Sequence, residues 1–184
     1  AIKGLGGFHL ACDAQNADTV KELRRRKKRS DKPFALMAFD LTTIENNCTV
    51  TPAEAALLNS YQSPVVLLER KPESDIAVDT APGQSTLGFM LPYTPLHLLL
   101  LEPDDGFPLV LVMTSGNLSE VPIAYRDEEY RERLRSLADA FLLHDRPIHD
   151  GTERLHQVVR EAERVVPVVM MKPQRGMESR RADR

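Results

Sequence analysis

Four apolar runs set the terms for any fold of this chain: FALMAF at 34–39, SPVVLL at 63–68, LGFML at 87–91 and PLVLVM at 108–113. Each is too short for a helix of ordinary length, and each is interrupted or bounded by proline, glycine or a polar turn. Runs of this length read as buried strands. Shorter candidates occur at 8–12, 141–143, 158–159 and 165–171. Helical signals lie between them. Asn16 caps a helix with Asp18 in its first turn, Val20 and Leu23 on its inner face and Glu22 four residues before Arg26. That helix must stop by Lys32, because Pro33 disfavours helical backbone in the residue before it. Short helices are expected at 41–46 and at 52–59, the latter with Thr51 as cap and Pro52 at its first position. A compact core helix is expected at 95–101 and an amphipathic one at 126–138, with Tyr130, Leu134 and Leu137 on one face. Short strands alternating with helices imply an α/β domain around one twisted, open sheet with flanking helices. Connections of uneven length, with several strands in succession late in the chain, predict a mixed sheet.

At 184 residues the chain is long enough for one domain with a real core. Its 42% hydrophobic and 28% charged residues are those of ordinary globular proteins. No apolar run approaches the ~20 residues of a spanning helix; HLLLLE at 97–102 reads instead as buried core. The start shows no basic region followed by an apolar stretch of the export type. Cys12 and Cys48 stand alone, which argues against a disulfide scaffold and a structural zinc site. The plain reading is cytoplasmic, with two free thiols. The opening Ala1-Ile2-Lys3-Gly4 looks cut into a strand, so a piece of a larger polypeptide is expected: one domain over 1–177, with a frayed tail at 178–184.

Charge is the least even feature. Between Lys21 and Lys32 stand Lys21, Arg24, Arg25, Arg26, Lys27, Lys28, Arg29 and Lys32 against Glu22 and Asp31, in a chain whose net charge is −3. For Arg24, Arg25 and Arg26 a solvated helix face is the expectation. Lys27, Arg29 and Lys32 sit at and beyond the helix end, ahead of a buried strand, where they can chelate a polyphosphate: arginine offers a planar fork and lysine a point charge. The overall negative charge, the lack of tryptophan and the absence of aromatics among the cations argue against nucleic acid. GLGGFH at 4–9 fails as a dinucleotide fingerprint, because His9 stands at the third glycine position. Its glycines serve either a turn with positive φ or a backbone lying close to a ligand. TSGNLS at 114–119 follows directly on a strand, so Thr114, Ser115 and Asn117 emerge at a carboxyl end, where open α/β sheets bind ligands; a plain polar turn is the alternative. His144 and His149 lack a third partner, so no metal ligand is assigned.

In order, AIKGLGGFHLACDA, Lys27-Lys28-Arg29 followed by KPFALM, LGFMLPYTPLH, MTSGNLSEVPI and FLLHDRPIH resemble the YrdC-like domain of HypF-type hydrogenase maturation carbamoyltransferases, through roughly residues 1–149. The resemblance implies a twisted open sheet with a concave basic face that binds ATP, with Mg²⁺ accompanying the phosphates. It implies formation of carbamoyl-adenylate from carbamate, itself derived from carbamoyl phosphate, with release of pyrophosphate. Other domains of the same polypeptide would then pass the carbamoyl group to a thiol-bearing maturation partner. Lys27 and Arg29 take the catalytic roles by this analogy. Lys3, Lys32, Thr114, Ser115, Asn117, Arg160 and Arg175 join them around the nucleotide.

The chain departs from the pattern near its end. Gln157 stands where a serine is expected, the acidic pair before it is not recognisable, and Met177 replaces a tyrosine after Arg175-Gly176. Three readings compete with the first: an O-carbamoyltransferase domain, a threonylcarbamoyl-adenylate synthase relative and, motivated by this departure, a non-catalytic docking or RNA-binding module. Double-stranded RNA is the partner that the charge balance disfavours. No membrane is expected.

Overall fold

The computed structural model describes residues 1–118, 130–146, 148, 157–161 and 164–168, the last two segments as backbone only. Among the described residues nine strands form one sheet: β1 (Ile2–Lys3), β2 (Phe8–Asp13), β3 (Ala35–Ala38), β4 (Cys48–Thr49), β5 (Val65–Arg70), β6 (Thr86–Met90), β7 (Val110–Ser115), β8 (Gln157–Glu161) and β9 (Arg164–Val168). Their order is β1-β2-β7-β3-β6-β5-β8-β9. β4 and β8 share the free edge of β5, β8 beside Val65 and Val66 and β4 beside Glu69 and Arg70. The β3–β6 and β5–β8 pairs are parallel and the others antiparallel. The mixed, open sheet expected from the chain is the one observed.

The helices are α1 (Ala17–Lys27), α2 (Leu41–Asn47), α3 (Pro52–Leu58), α4 (Pro95–Leu101) and α5 (Tyr130–Leu134). Local chemistry explains their starts. Asn16 accepts from the N–H groups of Asp18 and Thr19 at 3.0 and 3.2 Å. Thr51 and Glu54 form a reciprocal capping box ahead of α3. α1 ends five residues earlier than the proline alone required. Lys28 turns left-handed (φ 51°, ψ 45°) and donates to the Arg25 carbonyl at 3.2 Å, while the Arg29 N–H reaches the Arg24 carbonyl at 3.0 Å. This closes the helix as glycine usually does.

Period-two alternation sorts the sheet into two faces. Leu36, Ala38, Val110 and Val112 join Phe8, Val20, Leu23, Ile44, Leu58, Phe89, Tyr130 and Leu134 in the main core, beneath α1, α2, α3 and α5. Met37, Leu111 and Met113 face the other way, with Ile2, Val65, Met90 and Leu101 of α4. This second core is smaller. Leu98 and Leu99 of α4, expected to be buried, are 48% and 71% exposed, because this short helix turns only one side inward.

Two further expectations need correction. Residues 141–143 form no strand; Leu142 makes one isolated bridge to Ile2. Among the described glycines only Gly83 and Gly106 have positive φ, so the 4–7 turn does not depend on it. Gly4 is required for space instead: a Cβ there would lie 2.8 Å from the Gly7 carbonyl oxygen and from the His9 ring. Residues 126–129 and 169–171 lie outside the described residues, as do the 178–184 tail and Met177. No helix among the described residues is long and apolar enough to cross a membrane.

Candidate functional site

The cationic end of α1 meets the turn after β7. Lys27 is the last residue of α1 and is 1% exposed. Its Nζ donates to the carbonyl oxygens of Ser115 and Asn117 at 2.6 and 2.7 Å, and lies 3.3 Å from Asn117 Oδ1. Ser115 Oγ donates to the same Oδ1 at 2.6 Å. Backbone geometry makes the approach possible. Gly116 packs its N–H on the Phe8 carbonyl at 2.5 Å, where a Cβ would collide with the β2 backbone. Burial pushes the Lys27 ammonium down to about 7, with the charge of Arg29 as the second cause. The three oxygens around Nζ accept from the protonated form and oppose that shift. Lys27 therefore ties the turn to the helix end.

Arg29 follows two residues later. Its Nε donates to the Lys32 carbonyl at 3.0 Å and one Nη2 hydrogen to the Pro33 carbonyl at 2.7 Å, with the guanidinium 5.2 Å from the centre of the Phe34 ring. Among the described residues Nη1 makes no hydrogen bond, so half of the fork remains for an anion. Lys28 and Lys32 are exposed on the same loop. The segment from Lys27 to Lys32 can thus offer several cations to one polyphosphate.

The remaining residues named from the sequence spread out. Thr114 is buried opposite Leu10 in the β2–β7 pair. Lys3 is buried opposite Phe8 and donates to the His144 carbonyl at 3.0 Å, so it braces the 142–144 segment. Arg160 lies on β8, which is described as backbone only, and Arg175 and His149 lie outside the described residues. Gln157 is the first residue of β8.

Arg24 overturns the expectation of a solvated face. It is 8% exposed, and together with Val20, Leu23 and Lys27 it forms one stripe at i, i+3, i+4 and i+7. That spacing was the available signal; the surrounding charge hid it. Arg25 and Arg26 do face solvent more, paired with Glu22 at 2.7 Å, and Arg26 reaches Asp139 at 2.8 Å. Two sequence motifs also meet unexpectedly. His9 of GLGGFH and His97 of LPYTPLH, both buried, stand edge-on with ring centroids 6.1 Å apart, and Tyr93 lies 4.5 Å from His97. His9 is the cross-strand partner of Ser115, which puts this aromatic group next to the turn that Lys27 holds. A separate hollow of about 550 Å³, lined by Arg131, Glu132, Arg135 and Phe141, contains none of these residues.

A mixed open sheet of this order defines a fold class, and comparison with known proteins agrees on that fold. The family described as Telomere recombination (Sua5_yciO_yrdC) matches residues 1–165. The chain belongs to this Sua5/YciO/YrdC family. Within it the chain is similar to carbamoyltransferase HypF of Rhodobacter capsulatus, with 51% identity over 178 residues, which is 96% of this chain and 22% of that protein. The crystal structure of full-length HypF in the phosphate- and nucleotide-bound form superposes with a TM-score of 0.80 at 46% identity, over 86% of this chain and 24% of that one. HypF of T. kodakarensis superposes at 0.85 with 39% identity, over 91% and 22%. The chain thus spans about a fifth to a quarter of the HypF proteins it matches.

Proposed function

We propose that this chain is the nucleotide-activating part of a HypF-like carbamoyltransferase. It binds ATP and joins carbamate to the adenylyl group. A carbamate oxygen attacks the α-phosphorus, the bond from that phosphorus to the bridging oxygen breaks, and carbamoyl-adenylate and pyrophosphate form. Hydrolysis of carbamoyl phosphate supplies the carbamate and releases phosphate. Other parts of the longer polypeptide would carry the carbamoyl group to a thiol on a hydrogenase maturation partner, in the cytoplasm.

One observation carries this reading: Lys27 Nζ rests on the Ser115 and Asn117 carbonyls, which brings the cationic loop and the hydroxyl-bearing turn to one place. Arg29 Nη1, Lys28 and Lys32 would take the β- and γ-phosphates and offset charge building on the leaving pyrophosphate, a form of preorganised electrostatic stabilisation. Lys27 and the Ser115–Asn117 pair would orient the α-phosphate end. Among the described residues no three His, Cys, Asp or Glu side chains form a group that could hold a metal ion. Mg²⁺ brought with ATP would find its ligands on the phosphates and water.

Calorimetric titration with ATP, together with release of pyrophosphate on adding carbamoyl phosphate, tests the reading. Binding should weaken by about tenfold or more in Arg29→Ala, the loss expected when a charge-assisted hydrogen bond is removed. A folded chain that binds neither ATP nor AMP refutes it. Pyrophosphate release driven by bicarbonate and threonine, but not by carbamoyl phosphate, moves the chain to the threonylcarbamoyl-adenylate branch.

A further inference from the structure

The loop that presents Lys28, Arg29 and Lys32 has no regular hydrogen-bond ladder, yet it must hold like charges close together. Besides the bonds of Arg29 to the Lys32 and Pro33 carbonyls, its support comes from the Arg24 side chain. The Arg24 guanidinium has five N–H donors, and five main-chain carbonyls surround it. Nε donates to Asp79. Nη1 donates to Arg29 and Ser30 at 3.2 and 3.1 Å, and Nη2 to Lys32 and Thr80 at 3.2 Å each. Three of these carbonyls belong to the cationic loop, and two belong to the 3₁₀ turn Val78–Thr80 behind it. The guanidinium also lies 4.6 Å from the centre of the Phe34 ring, and the Phe34 N–H is itself tied to the Thr80 carbonyl at 2.8 Å. The Lys32 carbonyl accepts from both Arg24 and Arg29, so the position of Arg29 depends directly on Arg24.

A carboxylate could have neutralised a buried arginine at this point. Five neutral carbonyls satisfy its donors, the Asp79 and Asp31 carboxylates act on its charge without hydrogen-bonding to it, and that charge acts in turn on Arg29. A planar fork suits this bridge, because its five donors diverge toward carbonyls of both segments, whereas lysine has three donors on one nitrogen and would leave some of the five carbonyls unmet.

We propose that Arg24 is the positioning residue of the anion site: it touches no phosphate, and it sets the loop that places the Arg29 fork and Lys32. The inference rests on the nucleotide-binding reading above and extends it to a residue outside the motif that carried that reading.

The test is a double-mutant cycle on ATP affinity, with Arg24→Gln, Arg29→Gln and the double variant each titrated well below its own unfolding temperature. If Arg24 acts through Arg29, Arg24→Gln weakens ATP about tenfold, and the double variant binds within about twofold of Arg29→Gln alone, because coupled residues are not additive. Arg24→Lys, which keeps the charge and is the more conservative replacement, should also lose several-fold in affinity. If Arg24→Gln does not fold, the same cycle is run with Arg24→Lys. A purely structural Arg24 would lower the unfolding temperature while leaving the dissociation constant of the folded variant at the parent value, and that result overturns the proposal. Independent, multiplicative losses overturn it too, as does full affinity in Arg24→Lys. A parent chain that binds no ATP removes the functional reading itself and this inference with it; a parent that binds while Arg24→Gln binds equally well removes only this inference.

Discussion

Lys27 shows how far a single side chain can be moved from its ordinary chemistry. Its ordinary value near 10.5 is brought down to about 7 by burial, so between those two values the free folded protein holds fewer protons here than a lysine in water would. A triphosphate placed beside it would restore the charge. Nucleotide binding at pH 8 should therefore take up protons, and affinity should fall as pH rises above about 7. Calorimetry in buffers of different ionisation enthalpy measures this, and binding with no proton uptake at pH 8 contradicts it. The two thiols make the opposite case. Burial raises Cys12 to about 11 and Cys48 to about 12, and Cys48 is 1% exposed. Because the thiolate is the reactive form, neither should be alkylated by iodoacetamide at pH 8 within the time a free cysteine peptide reacts completely. Rapid labelling of the folded chain would contradict the burial described.

At the scale of elements, the close of α1 decides where the cations stand. Its stop at Lys27 depends on a left-handed Lys28, a conformation that costs a non-glycine residue roughly 1–2 kcal/mol. Lys28→Gly should raise stability by about 0.5–1 kcal/mol, after allowing for the extra freedom glycine has in the unfolded chain. Urea denaturation measures this, and a clear loss of stability would mean that the Lys28 side chain makes a contact of greater value. Most element starts were legible beforehand, since Asn16, Thr51 and Pro52 act on their own neighbours. The end of α1 was not. Pro33 marks the last residue a helix could reach, whereas the actual stop is set by Arg24 binding the loop and by Lys27 binding a turn far away in sequence. Arg24 itself was misread for the same reason: charge suggested solvent, while its place in the stripe with Val20, Leu23 and Lys27 pointed inward.

Across the whole molecule, the sheet has a thick face and a thin one. Leu36 lies fully buried in the main core, and Leu36→Ala should cost about 2–5 kcal/mol. Leu99, on the outer side of α4, should tolerate Leu99→Ser within about 0.5 kcal/mol. Equal losses at the two positions, measured by denaturant unfolding, would contradict this two-faced arrangement. The apolar runs and their proline and glycine boundaries were enough to establish a mixed α/β sheet, because strand and helix periods depend on nearest neighbours along the chain. They were also enough to pick out Lys27, Arg29, Ser115 and Asn117 as separate candidates. That Lys27 lands on the Ser115 and Asn117 carbonyls, that His9 meets His97, and that Arg24 lies inside was decided only by the packed sheet. Those contacts join segments tens of residues apart, and only the strand order β2-β7-β3, with α1 laid across it, brings them within hydrogen-bonding distance.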